Sequence, residues 1–494
     1  MNASLMILEI AVVLLGLGVL LLDLWTPAEK KRELGLYAAV VVAGILVGSF
    51  LIDAGADPRY AFGGMYVQDG LSLFFKRLFL FSMVIVLVMS TEVVHRIKSG
   101  ISEYCALTLF AGAGMMMAAS SNNLAMLFVS IELITVTFYV LVSIQRSQTR
   151  ALEAGVKYLI IGALSSAVMV YGIALVFGIS GEMTFIAFGA DGALDAKNCL
   201  AGLSGQYAGN PLFLAGVLFI LFGLAFKVAA FPFQLWAPDV YHGALAPTSA
   251  FLAVGSKAAG FALMLRVLFH AFPEIAVEWS TMLAALAGIT ILYGNLGAIP
   301  QRNLKRLMGY SSIAHAGYVM MGVAAVSAAG QSATLCYLGG YTFTALAAFG
   351  VIAIVSRSVG DDDISSLAGL SRRSPFLAAS LTLAMVSLTG LPPLAGFFGK
   401  FMLLKAAVEA SAANTAFYWL IAAAVFGVIV SVYYYFNVIR VIYFSSSEGD
   451  AGEIKVSQPM RLVLILCVAG MLVLGLYPNA VVDLTVSAVR VFTF

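Results

Sequence analysis

Long apolar stretches recur along the whole chain and are separated by short polar connections. A helix needs about 20 mainly apolar residues to cross about 30 Å of hydrocarbon, and stretches of that length occur about fourteen times. The predicted spans cover residues 5–25, 35–52, 70–91, 103–120, 122–144, 151–178, 210–235, 246–270, 276–298, 302–326, 332–357, 374–408, 414–443 and 460–485. The pattern predicts an all-α polytopic membrane protein, with one exposed excursion at 180–210.

Two of the predicted spans contain helix breaks beside a lysine. A proline frees the carbonyl four residues earlier, and irregular backbone at membrane depth survives only where protein or enclosed water satisfies it. Spans seven and twelve lie five apart, so they cross the membrane in opposite directions. This arrangement predicts two discontinuous helices in inverted five-helix repeats, although the lysine precedes one break and follows the other. The residues concerned are Lys227, Pro232 and Pro238 in span seven, and Pro392, Pro393 and Lys400 in span twelve.

The repeats divide the chain into four parts. Residues 1–100 form an N-terminal three-helix segment, 101–272 the first repeat with spans four to eight, 273–445 the second repeat with spans nine to thirteen, and 446–494 the C-terminal span fourteen. Loop lysines and arginines fall mostly on one side, which predicts a cytoplasmic position for that side. Both termini are then expected on the periplasmic side, in agreement with an even number of spans.

Composition supports the membrane class and narrows the function. Of the 494 residues, 62% are hydrophobic and 11% are charged, whereas a soluble domain has about 45–50% apolar and about 25% charged residues. A net charge of +2 does not favour a nucleic-acid partner. The four cysteines lie far apart, and no phosphate-binding loop, activated nucleophile, haem or metal ligand set is visible. We therefore expect a secondary transporter or a partner in a complex that receives its energy elsewhere.

Ionisable residues recur in successive apolar spans. Desolvation disfavours the charged form of a buried lysine, a neighbouring carboxylate favours it, and histidine exchanges protons near neutral pH. A single Lys–Glu pair could merely fix helix register. Six such groups, two of them beside helix breaks, favour a proton path. The candidate proton-transfer residues are Glu132, Lys157, Lys227, Lys257, His315 and Lys400.

Other charged and aromatic residues receive simpler interpretations. Lys76 and Arg77 lie a few turns into span three and are expected to reach the interface or lipid headgroups. Lys405 is expected to extend to the outer interface in the same way. The aromatic run at 433–436 indicates packing or an interface belt, and the acidic run at 361–363 indicates a solvated loop.

Several long segments resemble one family. Residues 153–167, 227–243, 306–318 and 390–400 resemble the antiporter-like N-type subunits of bacterial respiratory complex I, the proton-pumping NADH:quinone oxidoreductase. The sequence WAPDVYHGA at 236–244 resembles the N type, because M and L types typically follow Pro-Asp with Ala or Met. Lys400 stands where M-type subunits have glutamate, and the chain lacks the long lateral helix of the L type. His242 departs from the Gln or Glu expected in many relatives.

The resemblance implies roles for the candidate residues. Glu132 is expected to pair with Lys227, Lys157 and Lys257 to continue a hydrophilic axis, His315 to join the two halves, and Lys400 to lie toward the exit side. No cofactor is expected in this chain; NADH, FMN, iron–sulfur clusters and quinone are expected in partner subunits. Those partners include the M-type subunit and small helical subunits. The expected location is the bacterial inner membrane, in contact with the lipid bilayer.

The function predicted in this way is proton translocation coupled to quinone reduction in partner subunits. A first alternative is a subunit of an Mrp-type sodium/proton antiporter, which sodium-dependent transport by the isolated chain would favour. A second alternative is a structural scaffold, whose lysine substitutions would deplete the complex and leave pumping intact in what assembles.

Overall fold

The computed structural model describes residues 2–27, 30–53, 55, 58–97, 100–188, 195–445 and 452–492. Twenty α-helices make up most of this part of the chain. They are α1 (Ile7–Trp25), α2 (Leu34–Ser49), α3 (Gly70–Val93), α4 (Ile101–Ala119), α5 (Leu124–Val142), α6 (Thr149–Ser180), α7 (Leu200–Leu203), α8 (Pro211–Val228), α9 (Trp236–Gly243), α10 (Ala246–Phe251), α11 (Lys257–Arg266), α12 (Ala276–Ala298), α13 (Leu304–Ala324), α14 (Ala328–Val359), α15 (Leu370–Arg373), α16 (Pro375–Thr389), α17 (Ala395–Ser411), α18 (Ala416–Phe444), α19 (Gln458–Leu476) and α20 (Asn479–Val489). Two short strands, β1 (Arg59–Ala61) and β2 (Tyr66–Gln68), pair antiparallel before α3.

Among the described residues, 12 helical segments are long and apolar enough to cross a membrane. Two predicted spans are not among them. Span ten corresponds to α13, whose serines, histidine and glycines lower its hydropathy; nearly all its residues are buried by other helices, so it needs no apolar outer face. Span twelve corresponds to α16 and α17, which are separated at residues 390–394.

The core of the molecule lies around α10, α11, α13 and α14. Helices α10 and α11 are joined by a π-helical turn at Leu252–Ser256. Nearly all side chains of this segment are buried. Helix α14 packs against α3, α10, α13, α16, α17, α19 and α20. By contrast, α1, α6, α18 and α19 bury one face and expose apolar side chains on the other. Polar groups on the central helices are therefore shielded by protein.

A buried ion pair joins the first and third spans. The Lys76 ammonium lies 2.9 Å from a carboxylate oxygen of Glu9, and the two side chains are only 1% and 2% exposed. The Tyr66 hydroxyl on β2 bonds both groups. The expectation that Lys76 extends to the interface is wrong, because the hairpin brings Tyr66 over the pair and closes it from solvent.

The connection at 180–210 is packed in part, so the expectation of an exposed excursion is wrong for its buried residues and holds for exposed ones such as those at 196–198. The Asn122 amide donates to the carbonyls of Gly64 and Ile186, both at 2.9 Å. Phe185 and Leu200 are fully buried. The backbone of this connection is hydrogen-bonded to Asn122, just before α5, so the connection can pack against the rest of the protein. Residues 189–194 of the predicted excursion lie outside the described residues.

The acidic run at 361–363 is a structured loop rather than a solvated one. Asp362 forms an ion pair with Lys305 at 2.8 Å, and the two side chains are 14% and 5% exposed. Its carbonyl also accepts from the Leu304 N–H at the start of α13. Burial alone would raise the pKa of Asp362, but the neighbouring Lys305 ammonium outweighs burial and holds the pKa below its ordinary 3.8. The pair fixes the loop to α13.

Replacing Lys76 by methionine leaves the Glu9 carboxylate buried without its partner. Breaking a buried pair in this way costs about 3–5 kcal/mol, whereas replacing both charges by apolar groups is often neutral. We therefore expect Lys76→Met to lower the unfolding temperature of the purified protein, and Glu9→Leu added to Lys76→Met to restore most of it. Lys405→Met is the control, because Lys405 is exposed. Equal unfolding temperatures for Lys76→Met and Lys405→Met would contradict this account of the pair.

Asp362→Asn should destabilise the protein in a pH-dependent way. A carboxyl whose pKa is lowered on folding contributes stability above the unfolded pKa, and that stability is lost as the pH falls through the folded pKa. At neutral pH the loss is about 3 kcal/mol, because the Lys305 ammonium stays buried. Unfolding temperatures measured from neutral to acid pH should converge with those of the unaltered chain below pH 3.8.

Asp361→Asn is the matched control for this measurement. Asp361 is exposed, and an asparagine keeps the oxygen that accepts from the Asp362 N–H. A stability difference for Asp362→Asn that stays constant with pH would show that the ion pair is not its cause.

Candidate functional site

Lys227 lies at the end of α8, where the helix stops. Its side chain is buried, and its ammonium donates to the Thr135 hydroxyl on α5 at 3.0 Å. After Val228 the chain turns at Ala229, which has a positive φ of 60°. The Trp236 indole N–H donates to the Phe226 carbonyl at 3.1 Å, and the same carbonyl accepts from the Ala229 N–H at 3.1 Å.

Glu132 lies one helical turn before Thr135 on α5, but it does not pair with Lys227 in this structure. Its carboxylate accepts from the Ser166 hydroxyl on α6, and no ion pair joins it to Lys227 among the described residues. Residues three apart on a helix share a face. Lys227 therefore lies beside the turn that carries Glu132 and bonds the neutral hydroxyl of that turn instead of the carboxylate.

Lys157 departs from the predicted buried row. Its side chain is 44% exposed, and it forms ion pairs with Glu153 at 2.7 Å and with Asp239 at 2.8 Å. Asp239 also pairs with Arg306. Because α6 buries only the stripe that contains Ala154 and Tyr158, Lys157 falls at the border of that stripe. The structure places it in an ion-pair cluster that joins α6, α9 and α13.

Lys257 begins α11 directly after the π-helical turn and is buried in the centre of the molecule. Its ammonium donates to both the carbonyl and the hydroxyl of Ser312 on α13. The Ser312 hydroxyl also lies 2.9 Å from the hydroxyl of Tyr241 on α9. A π-helical turn adds one residue to a helix and commonly marks a functional position. Here it lies immediately before the buried lysine.

His315 lies one turn after Ser312, and both of its ring nitrogens have tyrosine partners. Nδ1 is hydrogen-bonded to the Tyr337 hydroxyl on α14, and Nε2 lies 3.1 Å from the Tyr435 hydroxyl on α18. Tyr435 is in turn bonded to the Ser311 hydroxyl. A neutral imidazole donates through one nitrogen and accepts through the other, and a hydroxyl can do either. The cluster therefore has several proton arrangements with the same partners.

Lys400 lies beside the second helix break. Its ammonium donates to the carbonyls of Leu388 at 2.8 Å and Thr389 at 3.0 Å, at the end of α16. These carbonyls have no partner within their own helix. The ammonium also lies 4.9 Å from the centre of the Tyr318 ring. Lys400, on α17, thus supplies donors to the carbonyls that have no partner at the end of α16.

Buried tyrosines connect the predicted residues into a row, and the sequence analysis missed them. The Lys257 ammonium lies 5.8 Å from the Tyr341 ring centre, and the Tyr341 and His315 ring centres are 5.1 Å apart. His315 and Tyr318 ring centres are 6.2 Å apart, and Tyr318 faces Lys400. The row is therefore Lys257, Tyr341, His315, Tyr318 and Lys400, and we name it the central row.

The sequence contained a signal for these tyrosines. Tyr337 and Tyr341 are four apart on α14, and Tyr318 is three residues after His315, so each set shares a helix face. In the run at 433–436, Tyr433 is exposed, as an interface residue would be, but Tyr435 is fully buried. Tyr435 is packed as expected, and its hydroxyl also bonds His315 and Ser311, a role that the sequence analysis did not predict.

The predicted helix-break prolines divide into two kinds. Pro232 lies between α8 and α9, and Pro392 and Pro393 lie between α16 and α17. Pro238 instead occupies the first turn of α9, where the missing N–H has no helical partner in any case. It therefore starts a helix and does not break one. Within the described residues, no group of three or more His, Cys, Asp or Glu side chains could hold a metal ion.

Comparisons with known proteins define the class. The profile of a family described as "NADH:quinone oxidoreductase/Mrp antiporter, TM" matches residues 121–431, which include every residue of the central row. A chain from the Mrp complex of Dietzia sp. has the same fold, with a TM-score of 0.82 at 19% identity over 100% of this chain and 98% of that one. The class is thus an antiporter-like, multi-pass membrane protein.

Closer relatives narrow the class. NADH-quinone oxidoreductase subunit N of Moorella thermoacetica is 37% identical over 99% of each chain. A chain of respiratory complex I from Thermus thermophilus is 31% identical, with a TM-score of 0.76 over 97% of this chain and 99% of that one. This chain belongs to the antiporter-like membrane subunits of NADH:quinone oxidoreductase, and among them to the subunit N family.

Removing one hydroxyl tests the tyrosine contacts of His315. Tyr435→Phe leaves one imidazole nitrogen and the Ser311 hydroxyl with one partner fewer, and an unsatisfied buried polar group costs about 1–3 kcal/mol. We expect a lower unfolding temperature in detergent. Tyr433→Phe removes the same hydroxyl from an exposed neighbour on the same helix and should change little. Equal unfolding temperatures for the two variants would argue against the hydrogen bonds assigned to Tyr435.

Proposed function

We propose that this subunit translocates protons and that its buried lysines and His315 form the path. The observation that carries the proposal is the central row, because it places two lysines and a histidine in line inside the protein. Charged groups at membrane depth are costly and mark ion or proton pathways. Lys227 extends the row toward α5, since α8 packs against α11. Membership in the subunit N family supports the same function.

We propose that the chain crosses the membrane fourteen times in the arrangement predicted from its sequence. The two pairs α8/α9 and α16/α17 then form the discontinuous spans seven and twelve, and 101–272 and 273–445 form inverted five-helix repeats after the segment 1–100 and before 446–494. Each interruption is beside a buried lysine, which supports this assignment. The loop charges support periplasmic termini and a bacterial inner-membrane location.

The open Glu132–Lys227 contact supplies the switch in this proposal. Lys227 bonds Thr135, one turn from Glu132, so a small side-chain movement along α5 exchanges a neutral partner for a carboxylate. The carboxylate favours the protonated lysine, and the hydroxyl favours it less. Formation of the Glu132–Lys227 pair therefore favours protonation of Lys227. Loss of the pair releases the proton toward Lys257, His315 and Lys400. Lys157 participates from the ion-pair cluster at the border of α6 rather than from the buried row.

The energy for this switch is proposed to come from partner subunits. Membership in the subunit N family supports NADH, FMN, iron–sulfur clusters and quinone in those partners, and the proposal needs no cofactor in this chain. The partners would be other membrane-arm subunits, including the M-type antiporter-like subunit and small helical subunits. The exposed apolar faces of α6 and α18 are available to such partners or to lipid.

Substitution of Lys227 tests the path. We expect Lys227→Ala to reduce both NADH oxidation and proton pumping at least about tenfold per assembled complex, because a positioned acid–base group contributes about 10²–10⁴ in rate. Lys405→Ala removes an exposed lysine from α17 and should change neither rate. Unchanged oxidation and pumping in Lys227→Ala would make the mechanism wrong.

Other outcomes of the same experiment favour the alternatives. Pumping lost with oxidation fully retained would argue for loose coupling between this chain and its partners. A depleted complex whose assembled remainder pumps normally would favour the scaffold. Sodium-dependent transport by the isolated chain would favour an Mrp-type sodium/proton antiporter subunit.

A further inference from the structure

A cleft far from the central row opens where α2, α3, α14, α19 and α20 meet. It has a volume of about 660 Å³, and none of the predicted proton-transfer residues lines it. Its inner wall is apolar and includes Leu78, Phe81 and Phe343. Ligand sites in proteins commonly have volumes of about 300–1,000 Å³, with few polar groups that orient the ligand. The charged groups that line this cleft are Arg77 and Asp53.

Arg77 is held at the mouth of the cleft through one nitrogen of its guanidinium, Nη2. Its Nη2 donates to the carbonyls of Ser49 at 3.0 Å and Ile52 at 3.1 Å, at the end of α2, where a cation is favoured. Its guanidinium carbon lies 4.6 Å from the Phe50 ring centre. Its Nε is buried and has no hydrogen-bond partner. A fixed guanidinium with a spare N–H is suited to a phosphate oxygen.

Asp53 supplies the opposite charge at the same mouth. It is exposed, and no ion pair joins it to Arg77 within the part of the chain that the structure describes. A separate cation and anion beside an apolar cleft complement a zwitterion with an apolar tail. A purely anionic headgroup would meet repulsion from Asp53.

The apolar part of the cleft has room for a hydrocarbon chain. Gly339 on α14 lines the cleft, and a Cβ added there would meet no atom within 4 Å. Gly339 lies between Tyr337 and Tyr341, two residues from each, and therefore on the opposite face of α14. One face of this helix thus contacts His315, and the other faces the cleft.

We propose that the cleft binds one phospholipid with a primary ammonium headgroup, of the phosphatidylethanolamine class. The phosphate accepts from Arg77, the ammonium donates to Asp53, and one acyl chain lies between α3 and α14. The lipid fills the space between the N-terminal helices and α14 from the membrane side. This site is independent of the proposed proton path, because no residue is shared between them.

Photolabelling of the intact complex tests the site. The complex is reconstituted in phosphatidylcholine bilayers with a trace of phosphatidylethanolamine or phosphatidylglycerol that carries a diazirine on one acyl chain. We expect the phosphatidylethanolamine probe to label peptides of α3 and α14. Arg77→Gln should reduce that labelling about tenfold, the effect of one lost charge-assisted hydrogen bond. Asp53→Asn should shift the preference toward the phosphatidylglycerol probe.

Two glycine variants provide a matched pair. Gly339→Leu places a side chain in the cleft, whereas Gly178→Leu places one on α6, where there is also open space. Loss of labelling in the first and retention in the second would support the site. Equal labelling of the two, equal labelling by both probes in the unaltered complex, or cross-linking of a partner subunit's peptide to the cleft would each overturn the proposal.

Discussion

A backbone carbonyl cannot remain without a hydrogen-bond donor inside a membrane protein, and the interrupted helices of this chain depend on that constraint. At the end of α16 the Lys400 ammonium donates to two free carbonyls, and at the end of α8 the Trp236 indole gives the Phe226 carbonyl a second donor besides the Ala229 N–H. The donors come from the chain that follows each interruption. Each of these helix ends is therefore stabilised by a residue of the next helix, and a buried lysine lies on α8 before the first connection and on α17 after the second.

The central row follows from this arrangement. Because α13 and α14 are shielded by other helices, they can carry His315, Ser312 and several tyrosines at a depth where polar groups need protein partners. Lys257, His315, Tyr318 and Lys400 each bond a hydroxyl or a carbonyl, whereas Tyr341 contributes its ring and its buried hydroxyl has no hydrogen-bond partner among the described residues. The apolar helices outside, such as α6 and α18, supply the shielding and face the bilayer or neighbouring subunits. The charged groups thus lie inside the molecule and the apolar side chains lie outside it, and both placements suit an apolar membrane environment.

The sequence predicted the features that depend on local composition and failed where a distant element decided the outcome. Apolar run length predicted the helices, and the prolines at 232, 392 and 393 lie in the connections between α8 and α9 and between α16 and α17. Lys76 was misinterpreted because its partner Glu9 and its cover Tyr66 come from other elements. The hydrogen bonds of Tyr435 were missed because an aromatic run does not show which hydroxyl meets a polar partner. Lys157 was misplaced because hydropathy does not reveal which stripe of a helix is buried.

The two carbonyls that accept from Lys400 affect where a proton can move along the proposed path. A carbonyl accepts a hydrogen bond but has no proton to give and does not take one up near neutral pH, so these contacts fix the ammonium without relaying anything. The Ser312 hydroxyl beside Lys257 differs, because a hydroxyl can accept on one side and donate on the other. Within the proposed path, Lys257 can therefore pass a proton on through the Ser312 hydroxyl, whereas Lys400 is the last residue of the path. A proton that leaves Lys400 must therefore pass to a group other than these two carbonyls.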